Sequence, residues 1–215
     1  MAGHLDDMPG IEVVFLDLGN VLAFHDDDVL FRRLSEYGGA PPEAIRERLS
    51  ALWAPLNRGT LAGDELRRAV SRASGATTVM DADTFFDVWT CYFRLHHAVL
   101  PMVEALLGRV KLVLISNTND LQWRFLRPQL PLLERFSALV LSHELGLAKP
   151  DPEIFRSALR RVGSPAEACA FFDDIPAFVD AARALGIQAE VFTTAANFRI
   201  QLARLGLGDS ASFPR

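Results

Sequence analysis

The chain has 215 residues, half of them apolar, and a formal net charge of −5 at neutral pH. This composition is enough for one domain with a subdomain, and it excludes wholesale disorder. The sequence has no lysine- and arginine-rich stretch, so nucleic acid is not the expected partner. No apolar run is long enough to cross a bilayer, so we expect no membrane partner either.

The two cysteines, Cys91 and Cys169, lie far apart in the sequence and show no metal-type spacing. We therefore expect neither a disulfide framework nor a zinc site. Residues 1–10 lack the basic and apolar regions of a secretion signal. We expect this stretch to be a flexible N-terminus and the protein to be cytoplasmic.

The first predicted element is a buried strand over Ile11–Asp17, followed by a long segment, residues 23–100, without a good strand signal. Helices are predicted in this segment around Ile45, Leu49, Leu52 and Trp53, over Leu61–Ser71 and over Asp83–His97. A crossover between parallel strands needs only one helix. We therefore interpret residues 23–100 as a small all-helical cap, placed over the sheet edge where open α/β sheets bind ligands.

The rest of the chain alternates between apolar runs and helical patterns. Further strands are predicted over Val110–Ser116, Ala138–Ser142, Cys169–Asp173 and Glu190–Thr193. Helices are predicted from Pro152 to Gly163, over Pro176–Leu185 and over Ala195–Leu205, with a capping box at Ser164–Glu167. Apolar runs without alternation are typical of parallel sheets. The sequence predicts an α/β fold, a Rossmann-like three-layer core formed by residues 11–22 and 101–215.

Polar side chains follow several of the predicted strands. They are Asp17, Ser116, Asn117, Asp173 and Asp174, and Lys149 lies in a loop just before a helix. Taken singly, each is an ordinary turn, cap or surface residue. Adjacent carboxylates, however, repel each other unless a cation or hydrogen-bond donors balance them. Because parallel strands end at one edge of the sheet, these groups are expected to converge.

Four segments in this order resemble the four motifs of the haloacid dehalogenase superfamily of aspartate-nucleophile hydrolases. They read FLDLGNVL from Phe15, LVLISNTN from Leu112, LGLAKPDPEIF from Leu145 and AFFDDIPAFVDAARALGI from Ala170. The resemblance covers nearly the whole chain. It points to the branch of sugar-phosphate phosphatases, similar to glucose-1-phosphate phosphatases, and of N-terminal phosphatase domains of epoxide hydrolases.

The resemblance implies a Mg²⁺-dependent phosphatase that acts on a small phosphorylated metabolite, preferably a sugar phosphate, through an aspartyl-phosphate. The implied catalytic residues are Asp17 as the nucleophile, Lys149 and Ser116, and the implied substrate contacts are Ser116, Asn117, Asn20 and Lys149. The implied metal ligands are Asp17, the Gly19 carbonyl and Asp174. Asp173 is implied either to bind the metal through a water molecule or to support the ligands without contacting the metal. Mg²⁺ favours such a small set of oxygen ligands.

Two positions depart from the family pattern. Gly19 stands where most of these phosphatases carry the aspartate that protonates the leaving group and activates water, and Phe178 replaces an Asp or Asn that supports the metal site. We expect Gly19 to favour good leaving groups, since acid–base help is worth about 10²–10⁴ in rate. His25 and Asp26 are possible substitutes, although a solvated loop is the simpler interpretation.

Two other functions remain open. A metal-independent 2-haloacid dehalogenase would use Asp17 on carbon, but the paired acids Asp173 and Asp174 speak against a metal-free site. A catalytically weak binding protein of the same fold would explain Gly19 and Phe178. Candidates for substrate selection in the cap are Arg58, Trp53, Trp89, Tyr92, Phe93 and Arg94, most of the aromatics being expected in the cap core, whereas His96 and His97 are expected to be structural. The sequence does not indicate an oligomeric state.

Overall fold

A computed structural model describes residues 10–61 and 63–208, so the expected flexible N-terminus lies, apart from Gly10, outside the described residues. The strands are β1 (Val13–Leu16), β2 (Ala23–His25), β3 (Phe93–Leu95), β4 (Lys111–Ser116), β5 (Ala138–Leu141), β6 (Cys169–Asp173) and β7 (Gln188–Val191). The helices are α1 (Asp27–Gly38), α2 (Pro42–Ser50), α3 (Trp53–Asn57), α4 (Gly63–Ala73), α5 (Ala82–Thr90), α6 (Leu100–Leu106), α7 (Asp120–Leu126), α8 (Ser142–Leu145), α9 (Pro152–Val162), α10 (Pro176–Arg183) and α11 (Ala195–Arg204).

Five strands form a parallel sheet in the order β5-β4-β1-β6-β7. The predicted α/β fold is thereby confirmed. Strand β6 has the predicted bounds, whereas β7 begins two residues before its predicted start, at Gln188 rather than Glu190. Strand β1 lies in the middle, so Asp17, which follows it, emerges at the centre of the carboxyl edge.

Helices cover both faces of the sheet. Leu16 and Leu114 belong to the apolar cluster that includes residues of α6, α7 and α11. Phe15 and Val113 belong to the opposite cluster, with residues of α9 and α10. Because successive strand residues face opposite sides and both sides are buried, the strands are apolar throughout. The predicted three-layer core follows from this pattern.

Helices α1 to α5 pack around an apolar cluster of their own. Its buried members include Leu30, Leu34, Ile45, Val70 and Trp89. The helix predicted through Ile45 and Trp53 is divided, since α2 ends at Ser50 and α3 begins at Trp53. The helical segment therefore has a core distinct from the two clusters of the sheet.

Strands β2 and β3 correct the prediction that residues 23–100 contain no strand. They pair antiparallel, with Ala23 opposite Leu95 and His25 opposite Phe93. The helix predicted over Asp83–His97 consequently ends at Thr90. Strands of three residues show almost no alternation, so sequence periodicity did not detect this ribbon. The ribbon lies where the chain leaves the core for the helical segment and where it returns.

The predicted capping box at residues 164–167 is also wrong. Pro165 occupies the N-cap of a short 3₁₀ helix there, and the Ser164 hydroxyl instead donates to Glu12 Oε2 at 2.9 Å. Among the helices of residues 10–61 and 63–208, none has both the length and the apolar character that a bilayer-spanning segment needs.

Candidate active site

The carboxyl edge of the sheet brings the predicted polar residues together around one cavity of about 340 Å³. Its lining includes Asp17 after β1, Ser116 at the end of β4 with Asn117 next to it, Asp174 after β6, Lys149 and Gly19. Asp173, the last residue of β6, is fully buried behind them. The expectation that strand ends would place these groups at one edge is borne out by their positions.

Lys149 is the buried cation of the site. Its ammonium donates to Asp17 Oδ1 at 2.6 Å, to Asp173 Oδ2 at 2.5 Å and to the carbonyl of Ile115 at 3.0 Å. Burial acts to lower the pKa of Lys149, but the attraction of the two carboxylates outweighs burial and raises it. Lys149 therefore stays charged beside Asp17.

Phe178 packs against this same lysine. Its ring centroid lies 5.2 Å from Lys149 Nζ, a distance at which the face of an aromatic ring attracts a cation. The residue that cannot support a metal ion thus contacts the buried ammonium of the site.

Asp17 is buried, with 7% of its surface exposed. Burial raises its pKa to about 7, since an ionised carboxylate loses its hydration there, and Lys149 counteracts this shift while Asp173 adds to it. The other carboxylate oxygen, Oδ2, lies 3.6 Å from the point that a Cβ on Gly19 would occupy. Asp17 and Gly19 both line the cavity, so this oxygen borders the space beside Gly19.

Three carboxylates, those of Asp17, Asp173 and Asp174, have oxygen atoms that all lie within 4.8 Å of one another. Asp173 has both oxygens occupied, by Lys149 and by the amide of Ile175 at 2.9 Å. Asp174 is partly exposed to the cavity, and its Oδ2 accepts from Asn20 Nδ2 at 2.8 Å. With all three ionised, one ammonium leaves two negative charges unbalanced, which suits a divalent cation with oxygen ligands.

The side chain of Asn117 is engaged with the lysine loop, and the substrate contact expected from its backbone amide stays a prediction. Its side-chain Nδ2 donates to the carbonyl of Lys149 at 2.8 Å, and its Oδ1 accepts from the amide of Lys149 at 2.8 Å. The Asn117 side chain thus fixes the loop that carries the lysine. Ser116 is buried and lines the cavity beside it, as predicted.

Gly19 leaves a space that another side chain borders. A Cβ at Gly19 would lie 3.5 Å from His25 Cδ2 and 3.6 Å from His25 Nε2. Asn20 adopts a left-handed conformation, φ 53°, which asparagine tolerates better than most residues. This turn folds the chain back so that β2 brings His25 beside Gly19. The sequence placed His25 only a few residues away and gave no sign of this contact.

The helical segment and the β2–β3 ribbon contribute the outer wall. Trp53, Asn57, Tyr92 and Phe93 line the cavity, and the Tyr92 hydroxyl accepts from Gln122 Nε2 at 2.8 Å. Other candidates lie elsewhere. Trp89 is buried and stacks on Trp53. Arg58 lines a neighbouring pocket and Arg94 lines an outer one. His96 is buried, with its Nδ1 3.1 Å from the carbonyl of Val21, whereas His97 is exposed. The sequence missed Asn57 and Gln122, which carry no motif.

Comparison with known proteins agrees with this arrangement. Phosphoserine phosphatase of Thermus thermophilus is 31% identical over 86% of this chain and 82% of its own. D-ribitol-5-phosphate phosphatase of Bacteroides thetaiotaomicron is 25% identical over 89% of this chain and 97% of its own. A solved haloacid dehalogenase family enzyme of the same organism, in a magnesium complex, superimposes with a TM-score of 0.77 at 25% identity and covers 86% of this chain and 94% of its own.

The family match itself extends over residues 11–186 and so includes the strand ends, the helical segment and the lysine loop. All four sequence motifs fall inside this range, and the residues they contribute meet in one cavity. Sequence match and site geometry therefore lead to the same conclusion. This protein belongs to the family of haloacid dehalogenase-like hydrolases.

Proposed function

We propose that the protein is a Mg²⁺-dependent phosphatase that hydrolyses a small phosphorylated metabolite, preferably a sugar phosphate, in the cytoplasm. The observation that carries the proposal is Asp17, whose Oδ1 accepts from Lys149 and which lines the cavity together with Asp174. The phosphatases of T. thermophilus and B. thetaiotaomicron named above act on phosphoserine and ribitol 5-phosphate. Both are phosphate monoesters of small alcohols.

The carboxylates fit the metal. We assign Asp17 and Asp174 as the ligands of Mg²⁺, together with the Gly19 carbonyl, whereas Asp173 holds Lys149 behind them. The bound ion would neutralise charge between an anionic nucleophile and an anionic phosphate. The solved relative in its magnesium complex supports this assignment.

The residues of the chain supply the rest of the chemistry. Asp17 attacks phosphorus and forms the aspartyl-phosphate, a kind of covalent intermediate known for carboxylates. Lys149 holds the attacking carboxylate in place by its 2.6 Å contact and contributes fixed positive charge. Ser116 is placed to bind a phosphoryl oxygen at the cavity wall. Phosphoryl transfer depends mostly on positioning and charge stabilisation, which these groups provide.

Residues 23–100 act in this proposal as the cap that selects the substrate, and residues 11–22 with 101–215 form the catalytic core. The cap supports this function because it has its own apolar core and places Trp53, Asn57 and Tyr92 at the cavity wall. Aromatic rings and an amide together suit a small polar substrate. The alcohol portion of the phosphate ester would lie against these residues.

The test is phosphate release with Mg²⁺ from a panel of p-nitrophenyl phosphate, sugar phosphates and phosphoserine. We expect turnover by the wild type, none after addition of EDTA, and none by Asp17→Asn, because an amide does not form the aspartyl-phosphate. Asp180→Asn is the matched control, since Asp180 pairs with Arg183 on the surface of α10.

The same assay separates the other functions. Metal-independent halide release from 2-haloacids, lost in Asp17→Asn, would identify a dehalogenase instead. Absence of all turnover in the wild type would favour a binding protein of this fold. Either result would overturn the phosphatase proposal.

A further inference from the structure

The strongest unassigned feature is the contact between His25 and the empty side of Gly19. A Cβ built on Gly19 would lie 3.6 Å from Asp17 Oδ2 and 3.6 Å from His25 Nε2. One point in the cavity is thus within van der Waals reach of both the proposed nucleophile and the imidazole. The absence of a side chain at residue 19 is what leaves this space open.

His25 is fixed in this position by contacts on both ring nitrogens. Nδ1 lies 3.2 Å from Asp27 Oδ1, and Asn20 Nδ2 lies 3.2 Å from Nε2. In the neutral ring Nδ1–H donates to Asp27 and Nε2 accepts from Asn20, whereas in the protonated ring Nε2–H gives up the contact with Asn20 and is available as a donor to a substrate oxygen. Because Asn20 Nδ2 also donates to Asp174, Nε2 is on the side of the carboxylate cluster.

The backbone restrains the same residue. His25 pairs with Phe93 across the β2–β3 ribbon, and the centroids of the Tyr92 and Phe93 rings lie 6.3 Å from the centroid of its ring in edge-to-face arrangements. The side chain keeps 35% of its surface exposed, and it lines the cavity together with Asp17 and Lys149. An imidazole that is oriented by a carboxylate, rigidly mounted and open to the cavity has the arrangement of a proton-transfer group.

We propose that His25 is the general acid and base of this site and performs the proton transfers for which residue 19 has no side chain. The inference rests on the proposed phosphatase function. It makes His25 a catalytic residue that contacts the leaving-group oxygen and, later, the attacking water. Asp27 is its positioning residue.

His25 donates one proton and regains one proton in each turnover. As Asp17 bonds to phosphorus, the bond from phosphorus to the ester oxygen breaks, and protonated His25 gives its Nε2 proton to that oxygen, releasing the alcohol. Neutral His25 then takes a proton from water as the water oxygen bonds to phosphorus. The bond to Asp17 breaks, its electron pair returns to the carboxylate, and inorganic phosphate leaves. The enzyme ends with His25 protonated, as it began.

The charges around His25 favour this cycle. The hydrogen bond to Asp27 raises the pKa of His25, burial opposes the shift, and the charges of Asp27, Asp174 and Asp17 add to it. Tyr92 also faces the ring, and it stays neutral because burial raises its phenol pKa. The placement of His25 beside Asp17 Oδ2 and Asp27, and not this shift, is what carries the proposal.

The experiment compares wild type, His25→Gln, His97→Gln and the double variant Gly19→Asp/His25→Gln on p-nitrophenyl phosphate and on the alkyl phosphate that the wild type hydrolyses fastest. We expect His25→Gln to lose about 100-fold or more in steady-state phosphate release, the low end of acid–base contributions. His97, exposed outside the cavity, is the matched histidine control and should keep full activity.

Two readouts separate chemistry from packing. With p-nitrophenyl phosphate, whose leaving group needs no acid, His25→Gln should release a burst of nitrophenolate equal to the active sites and then stall as aspartyl-phosphate. Gly19→Asp should restore turnover in the His25→Gln background, because its Cβ meets only ordinary contacts and Gly19 does not have a positive φ. Asp27→Asn should shift the basic limb of the pH–rate profile toward lower pH by removing the charge that favours imidazolium.

The outcomes are distinct. Active wild type with unimpaired His25→Gln would overturn this inference and leave the phosphatase function intact. So would a slowed His25→Gln that shows no burst and no rescue by Gly19→Asp, since the loss would then come from packing. Wild-type protein that releases no phosphate would overturn the proposed function and this inference together.

Discussion

At the scale of single residues, the site depends on one buried lysine. Lys149 lies between Asp17 and Asp173, and both the ammonium and Asp173 are shielded from water. An ion pair in such a place has a large desolvation cost that only good geometry repays. Its distances of 2.6 Å and 2.5 Å, with a third bond to the carbonyl of Ile115, provide that geometry. Removing one partner therefore costs far more than the pair contributes net.

We expect Lys149→Met to lower the free energy of unfolding by about 3–5 kcal/mol, because it leaves buried carboxylates without a counter-charge. Burial already raises the pKa of Asp17, and without the ammonium this carboxyl binds a proton more readily, so the folded variant binds more protons than its unfolded chain. The difference in free energy of unfolding between the wild type and Lys149→Met should accordingly grow as the pH rises through neutrality. Urea unfolding at several pH values, in EDTA, measures the effect.

The control for this lysine is Lys111→Met. Lys111 Nζ donates to the carbonyl of Val162 at 2.9 Å at the far end of β4, where the residue is exposed. Loss of one such hydrogen bond costs about 1 kcal/mol and should not vary with pH near neutrality. Equal losses in the two variants would contradict the view that Lys149 balances buried charge.

Single residues also show what the sequence can and cannot predict. Asp17, Ser116 and Lys149 were predicted because strand ends and motifs mark them locally. His25 was named only as a less favoured substitute acid, since its contact with Gly19 depends on a turn at Asn20 and on the pairing of β2 with β3. Contacts of this kind arise from tertiary structure, and the local sequence around His25 suggests only a polar loop.

At the scale of elements, the same distinction holds. The five sheet strands were found because continuous apolar runs signal burial on both faces. Strands β2 and β3 were missed because three residues carry no detectable period, and the helix prediction ran from α5 through β3 for the same reason. The missed ribbon is the element that carries His25, so the error in the fold and the error in the site have one cause.

The segment after α3 contacts the core directly. Gly59 has φ 71°, and a Cβ on it would lie 2.3 Å from the carbonyl oxygen of His143 in α8. We expect Gly59→Ala to force the helical segment away from the core and to raise KM for the proposed substrate. Kinetics on the substrate panel and thermal unfolding measure the two effects.

Gly63→Ala separates strain from contact. Gly63 also has a positive φ, 56°, but a Cβ there meets nothing within 4 Å. In both variants the alanine must adopt a left-handed backbone conformation, which costs about 1–2 kcal/mol. Only Gly59→Ala should change KM. Identical behaviour of the two variants would show that the approach of Gly59 to α8 does not position the cap.

At the scale of the whole molecule, charge links folding to metal binding. The chain carries a net charge of −5, and the carboxylates of Asp17, Asp173 and Asp174 converge at one cavity, with the ammonium of Lys149 bound to two of them. Folding concentrates this repulsion, since the unfolded chain keeps these carboxylates apart in water. A divalent cation that binds only the folded cluster stabilises the entire domain by mass action.

We therefore expect Mg²⁺ to raise the melting temperature of the wild type and EDTA to reverse the shift. At a concentration of 100 times Kd the gain is about 2.7 kcal/mol, which for a domain of this size is a rise of roughly 5–10 °C at about 2–4 °C per kcal/mol. Asp174→Asn should abolish most of this rise, because it removes the partly exposed carboxylate of the cluster. Asp180→Asn loses the same charge at a surface ion pair on α10 and should keep the full rise. A rise that survives in Asp174→Asn would mean that Mg²⁺ stabilises the protein at a place other than this cluster.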